Sequence, residues 1–297
     1  MSESPDYKLI LSLFVVAVVW GTTYLGIRVS VETIPPWYVT SIRQGIAASI
    51  ILTYLLFKKQ LVWIGWPDFK YQFIPAILMI VIANGFTTIG EQTIPSGLTS
   101  ILSALSPMVI FLGSLLVGLQ KPSIKGFVGV LMGLMGVVFI FRDGLSDILD
   151  PNYKTGIVFL SIAILSWSTG MIYTKMHTHK SNNIALNLFY QFSIATIVQM
   201  GIAALFSPHV PMEAWSGRSI FATVYLAIFG SVVAFFSYHY ALKKISATRV
   251  SILNYINTII AIFLGWLFLD EVITSDFIIA TILIITGVFI TNYKSTT

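Results

Sequence analysis

The sequence predicts an all-α polytopic membrane protein, with ten transmembrane helices built as two inverted five-helix repeats around a central cavity. Three observations predict it. Only 10% of the 297 residues are charged and 56% are hydrophobic, for a mean hydropathy of +0.87. A soluble domain carries about 25% charged residues, so these few do not cover a water-facing surface of this size. Ten apolar stretches follow one another, each near the roughly 20 residues that cross a bilayer as a helix. The first half of the chain also repeats in the second. Cysteine is absent, which removes disulfide frameworks, thiolate metal sites and cysteine nucleophiles. The formal charge of +5 would suit an acidic partner in a soluble protein. Here the basic residues gather in short loops, which reads as topology and not as nucleic-acid binding.

The first span, 9–28, has no small-residue cleavage site ahead of an aqueous domain, so it reads as a helix and not as a signal peptide. Pro35-Pro36 separates it from 37–57, which Lys58-Lys59 closes. The next three spans are 71–90, 97–119 and 124–141, divided at Pro95-Ser96-Gly97 and Lys121-Pro122 and followed by the segment 143–151. The second half holds 154–174, 184–206, 219–241, 248–269 and 275–293, divided by 177–183, 208–211, Lys243-Lys244 and Asp270-Glu271. Each break carries turn chemistry or charge.

Charge sets the orientation. With the N-terminus inside, the inner ends hold Lys8, Lys58, Lys59, Lys70, Lys121, Lys125, Lys175, Lys180, Lys243, Lys244, Arg249 and Lys294, and the outer ends only Arg28, Arg142, Lys154 and Arg218. That bias places both termini in the cytoplasm. Most acids, including Glu32, Glu91 and Glu271, fall outside, which agrees but counts little in the rule.

A shift of 147 residues lays Trp20 on Trp167, Thr22 on Thr169, Arg28 on Lys175 and Gln44 on Gln191. A shift of 151 lays Ser100 on Ser251, Ser103 on Asn254, Ser106 on Asn257 and Gly136 on Gly287. The chain then divides into repeats at 9–141 and 154–293. Five spans is an odd number, so the second copy enters the membrane upside down, the construction of many secondary transporters, whose substrate site lies at the repeat interface. Chance matching between two apolar sequences is the bland alternative.

Ser100, Ser103, Ser106 and Pro107 share one face of the fourth span, and Ser251, Asn254, Asn257 and Thr258 one face of the ninth. Such faces point into protein or water, either lining a pathway, with Ser103 and Asn254 nearest mid-span, or gluing helices together. Gly126, Gly129, Gly133 and Gly136 form a small-residue ridge for scaffold packing or a dimer face. Aromatic and polar residues recur at mid-depth. Trp20, Tyr24, Asn84, Ser103, Trp167, Tyr190, Tyr238 and Asn254 are the candidate substrate contacts, suited to a small solute with an apolar part and a few polar groups. Arg43 either snorkels outward as an anchor or faces the interior as a counter-charge, with Glu91 as its natural partner and the pair as a gate. Glu91 and His239 are the candidate proton carriers, although a satisfied structural histidine is the plainer reading of His239.

The stretches WGTTYLGIRVSVETIPPWYVTSIR, GEQTIPSGLTSILSALSP and ALKKISATRVSILNYINTIIAIFLGWLFLDEVIT resemble the drug/metabolite transporter (DMT) superfamily, specifically its EamA-type ten-helix exporters, over nearly the whole chain. The resemblance implies a central cavity between two inverted repeats, with the fifth and tenth helices outside. It also implies export of metabolites or amino acids from the bacterial cytoplasm by alternating access. It carries the family's tryptophan-glycine step onto Trp20-Gly21, its second-helix arginine onto Arg43, its glutamate-glutamine onto Glu91-Gln92, its fourth-helix proline onto Pro107 and its late acid onto Glu271. Two positions depart from the pattern: Gln120 stands where an acid is common, and Thr258 where the ninth helix often has proline.

The expected function is secondary transport that exports small metabolites, such as amino acids or related amphipathic solutes, across the bacterial inner membrane. A proton-coupled drug or metabolite antiporter is the alternative on the same fold. An intramembrane enzyme lacks a constellation: His177-Thr178-His179 has no nearby carboxylates, and no H-E-x-x-H or Ser/His arrangement is present. A channel lacks a filter segment or ring of acids, and no Walker motif supplies ATP. No cofactor, metal or catalytic residue is expected. The expected partners are a small-molecule substrate and the bilayer, with no nucleic acid; a monomer suffices for the pathway and a dimer remains open.

Overall fold

A computed structural model describes residues 6–94, 99, 102–140, 151–177, 183–269 and 275–292. Ser100, Glu271, residues 95–98 and 270–274, Thr178-His179 and the expected repeat ends at 141 and 293 lie outside the described residues. The described residues are helical with turns between, and no strand occurs among them.

Helix α1 spans Tyr7–Ser30, opened by Asp6, whose carboxylate accepts the Leu9 N–H at 3.1 Å. Helix α2, Pro36–Phe57, starts on a proline, which lacks only an N–H that no helix start uses. Helix α3 runs through Gly65–Thr93, entered by Gly65 at φ +76°, so it begins well before the expected residue 71. Helix α4 is Ser106–Leu116 and α5 is Ile124–Ile140. In the second half, α6 is Lys154–Met176, and α7 is Ile184–Phe206 with Asn183 as its N-cap. Helix α8 runs through Gly217–Lys244, α9 comes in two pieces, Ala247–Ser251 and Leu253–Leu269, and α10 is Ser275–Asn292. Six helices, α1 to α3 and α6 to α8, are each long and apolar enough to cross a membrane, so the chain is a multi-pass membrane protein. Leu116 and Ile124, 88% and 84% exposed, are at home against lipid and not against water.

The spans read as continuous at 97–119 and 248–269 are both interrupted. The turn at Ala104-Leu105 precedes Pro107, whose ring displaces the carbonyl four residues back and whose nitrogen donates nothing. The turn at Ile252 lies at a similar place in the second half without any proline. A second matched irregularity escapes any sequence rule. Ala76–Asn84 inside α3 and Leu226–Val233 inside α8 are π-helical, with hydrogen bonds reaching five residues instead of four. Pro75 precedes the first stretch but nothing similar precedes the second, so proline is not their common cause.

Packing follows one scheme in each half. Helix α1 packs against α8 and α9, and α6 against α3 and α4; α2 lies along α7, and α5 along α10. The largest buried cluster draws on both halves, from Val16 and Ala47 to Phe192, Phe235 and Leu242. The glycine ridge of α5 is used inside the chain. A methyl on Gly129 would sit 2.0 Å from Thr291 Oγ1 and 2.7 Å from the Gly287 carbonyl, so the two backbones touch where only hydrogen fits.

Buried polar side chains pin the π stretches. Ser166 Oγ donates to the Leu78 carbonyl at 2.8 Å and Gln199 Nε2 to the Ile80 carbonyl at 2.9 Å, both in the first stretch. Trp20 Nε1 donates to the Gly230 carbonyl at 3.2 Å in the second. Carbonyls left open at membrane depth cost several kcal/mol each, which explains these polar residues among apolar neighbours.

Candidate functional site

The two halves meet around a cavity that, with the open solvent adjoining it, holds about 680 Å³ of atom-free space. Six of the expected contacts line it: Trp20 and Tyr24 from α1, Asn84 from α3, Ser103 ahead of α4, Trp167 from α6 and Asn254 from α9. Arg43 of α2 joins them. Sequence reading did not place Thr23, Ile27, Thr87, Ala163 or Ile164 on the wall, and they are there; their spacing on α1, α3 and α6 matches the faces of the named residues.

One end of the cavity is aromatic. The Trp20 and Trp167 rings meet edge to face at 5.3 Å between centroids, and Phe235 lies 5.6 Å from Trp20 and 6.0 Å from Trp167. Edge-to-face pairs of this kind contribute about 0.5–1.5 kcal/mol beyond their burial. Gly21 makes the arrangement fit: a methyl there would stand 2.7 Å from Ile260 Cγ2, so its absence lets α1 close on α9. Trp20 spends its N–H on Gly230. The Trp167 indole N–H has no protein acceptor among the described residues and is available to a solute.

The polar wall is rich in donors. Tyr24 and Ser103 both line this wall, while Asn84 Nδ2 is buried without a partner. Arg43 is only 3% exposed, so it does not snorkel. Its Nε donates to Ser231 Oγ at 2.8 Å, and Ser231 donates to Gln44 Oε1 at 3.2 Å. Its two Nη groups have no acceptor among the described residues. No acidic side chain is among the cavity's described lining residues.

The remaining candidates fall elsewhere. Glu91 is fully buried, but neither carboxylate oxygen has a hydrogen-bond partner, and no ion pair joins it to Arg43. Arg28 donates to the Glu91 and Gln92 carbonyls and not to the carboxylate. Tyr238, 1% exposed, packs behind Trp20 and Trp167 at 5.3 and 5.7 Å without reaching the wall. His239 is buried against Phe235 and Tyr238, its Nε2 unpartnered. Tyr190 lies apart, donating to the Val62 carbonyl at 2.9 Å among Trp63 and Phe69. The serine-asparagine stripes divide: Ser103, Ser106 and Asn254 line the cavity. In the amide orientation that satisfies its neighbours, Asn257 Nδ2 donates to Leu253 and Ala17 carbonyls at 3.0 and 2.9 Å, and so glues α9 to α1.

Arg28 and Lys175, matched by the 147-residue shift, do matched work. Arg28 at the end of α1 donates to the carbonyls that close α3, and Lys175 Nζ at the end of α6 donates to Leu242 and Ile245 carbonyls, 2.6 and 2.8 Å away, that close α8. Cations at helix C-termini satisfy orphan carbonyls and the negative end of the dipole. Here each does so for a neighbouring helix.

Comparison with known proteins agrees with this architecture. The sequence pattern of the EamA-like transporter family matches residues 7–142 and again 154–293. The chain is 25% identical to the uncharacterized transporter YoaV of Bacillus subtilis (strain 168), over 96% of this chain and 97% of that one. It is 28% identical to the uncharacterized inner membrane transporter YedA of Escherichia coli (strain K12), over 86% and 80%. An uncharacterized transporter of Buchnera aphidicola subsp. Schizaphis graminum (strain Sg) shares 30% over 86% and 84%. A protein of known crystal structure superposes with a TM-score of 0.80 at 18% identity, covering 97% of this chain and 98% of that one, and so shares its fold.

Proposed function

The chain belongs to the EamA-like transporter family, and from that premise we propose that it is a secondary transporter exporting small amphipathic metabolites, such as amino acids, by alternating access. In this reading ten helices form two five-helix repeats of opposite orientation, with both termini in the cytoplasm and the protein in the bacterial inner membrane, where the relative YedA is named as residing. The observation that carries the proposal is the cavity assembled from both halves, Trp20, Arg43 and Asn84 from one and Trp167, Phe235 and Asn254 from the other. A site shared between two similar halves changes its exposure when one rocks against the other. The donor-rich wall around Arg43 suits an anionic group such as a carboxylate, and the Trp20–Trp167–Phe235 end suits an apolar or aromatic body. A monomer holds the whole pathway, and with no nucleotide motif in the chain the driving force is an ion or solute gradient.

The test is transport by purified protein in liposomes against a metabolite panel that includes aromatic and aliphatic amino acids, their amides and amphipathic cations, with and without proton and sodium gradients. Counterflow of carboxylate-bearing members is expected. Failure to move any member under any gradient would sink the proposal. A second reading, proton-coupled antiport, is favoured by Glu91, a fully buried carboxyl whose oxygens lack partners. A group so placed exchanges a proton only when the helices around it move, which is the coupling an antiporter requires.

A further inference from the structure

A second concavity, about 1210 Å³ of atom-free space with its adjoining open solvent, lies away from the central cavity, at the end of the molecule where the basic residues gather. Lys121, Lys125, Lys175, Lys244 and Arg249 line it, and no acidic side chain is among its described lining residues. They arrive from separate places: the α4–α5 corner, the end of α6 and the α8–α9 corner. Loop lysines that serve only orientation have no reason to converge on one recess. Lys175 is committed to backbone carbonyls at 2.6 and 2.8 Å, and Lys244 has Asp6 at 3.4 Å. Lys121 and Arg249 have no acidic partner among the described residues. The first turn of α5 opens onto the same space at Lys125 and Gly126, adding the positive end of a helix dipole. The border is apolar: Phe111, Ile245 and Ile290 line the recess, and Leu116 and Ile124 beside it face outward.

We propose that this recess binds a phosphate-bearing anion, the phosphodiester of an anionic phospholipid being the source that fits both the cationic lining and the apolar border. Several cations converging between membrane helices, with hydrocarbon surface alongside, match the charge of a headgroup and the chains attached to it. The inference does not depend on what the central cavity carries.

The test uses the full-length protein, delipidated in detergent. Retention of phosphatidylglycerol against phosphatidylcholine is read by native mass spectrometry, and the unfolding temperature is measured with and without millimolar inorganic phosphate. Lys121→Gln/Arg249→Gln is compared with Lys58→Gln/Lys59→Gln, which removes the same charge outside the recess. Preferential retention of phosphatidylglycerol is expected, weakened about 30-fold in the first variant, since each basic residue is worth about 1 kcal/mol against an anionic lipid surface. The second variant should retain the lipid. A rise in unfolding temperature with inorganic phosphate alone, lost in the first variant, supports the site with a soluble source instead. Equal retention of both lipids with no phosphate effect, or equal loss in both variants, overturns the proposal. Lys121→Gln alone, at an exposed side chain, gives the same comparison where the double variant does not fold.

Discussion

Replacing Arg43 by glutamine separates two things its guanidinium does at once. Its Nε holds Ser231 at 2.8 Å, a charge-assisted hydrogen bond worth about 1.5–3 kcal/mol. Its Nη groups stand on the cavity wall without acceptors among the described residues. An anionic group docked there would gain a similar amount, so Arg43→Gln should raise the half-saturating concentration of a carboxylate-bearing solute about 10- to 150-fold. The same solute as its amide should change far less. Arg43→Lys keeps the charge but loses the planar fork, and should fall between the two. The assay is counterflow in proteoliposomes with each acid–amide pair, alongside the unfolding temperature of each variant, so that lost Ser231 bonding is not mistaken for lost binding. An unchanged acid response in Arg43→Gln, or equal losses for acid and amide, would refute the counter-charge role and leave Arg43 as a structural strut between α2 and α8.

Four further outcomes follow from the geometry. Trp20→Phe keeps the aromatic stack but strands the Gly230 carbonyl, and should cost about 1–3 kcal/mol of stability, read as a lower unfolding temperature; no loss would mean that water replaces the indole. Gly129→Ala drives a methyl into Thr291 and the Gly287 carbonyl and should cost about 1–3 kcal/mol. Gly201→Ala, with nothing within 4 Å, should be neutral or slightly stabilising, and equal melting of the two variants would contradict the α5–α10 contact. Lys175→Gln should destabilise by about 1–2 kcal/mol, and more than Arg28→Gln, because Lys175 is half-buried and Arg28 is exposed; the reverse order in thermal melts would count against the clamp reading. Glu91→Gln should flatten the dependence of transport rate on external pH, and a slope identical to the unsubstituted protein would remove Glu91 as the carrier.

How far the sequence could be read depended on whether the signal was local. Hydropathy located the six long helices because bilayer thickness imposes its own length. The 147-residue shift paired Trp20 with Trp167, and their rings meet at 5.3 Å. Tyr190 reads as a cavity residue because it is an aromatic within its span; its actual neighbours come from the non-helical stretch around Val62 and Trp63, which no periodicity describes. Ser231 as the partner of Arg43 is a tertiary contact between α2 and α8, 188 residues apart. Chemical complementarity pointed to Glu91 instead, and only the packing settled which group lay within reach. The glycine ridge was legible as a contact surface, but whether it met another part of the chain or a second copy was not.

The π stretches have a consequence for how this chain tolerates change. A helix that bonds five residues back carries surplus residues relative to an α-helix of the same height, so each stretch holds slack in the count of residues and not in length. Deleting one residue between Ala76 and Asn84 would let ordinary helical bonding heal with little shortening, yet it would turn everything downstream about the helix axis, taking Asn84 and Thr87 off the cavity wall and Glu91 out of its pocket. The cavity therefore depends on reading frame as well as on residue identity. Within these two segments a single deletion should be worse tolerated than most substitutions, although the membrane would still be crossed.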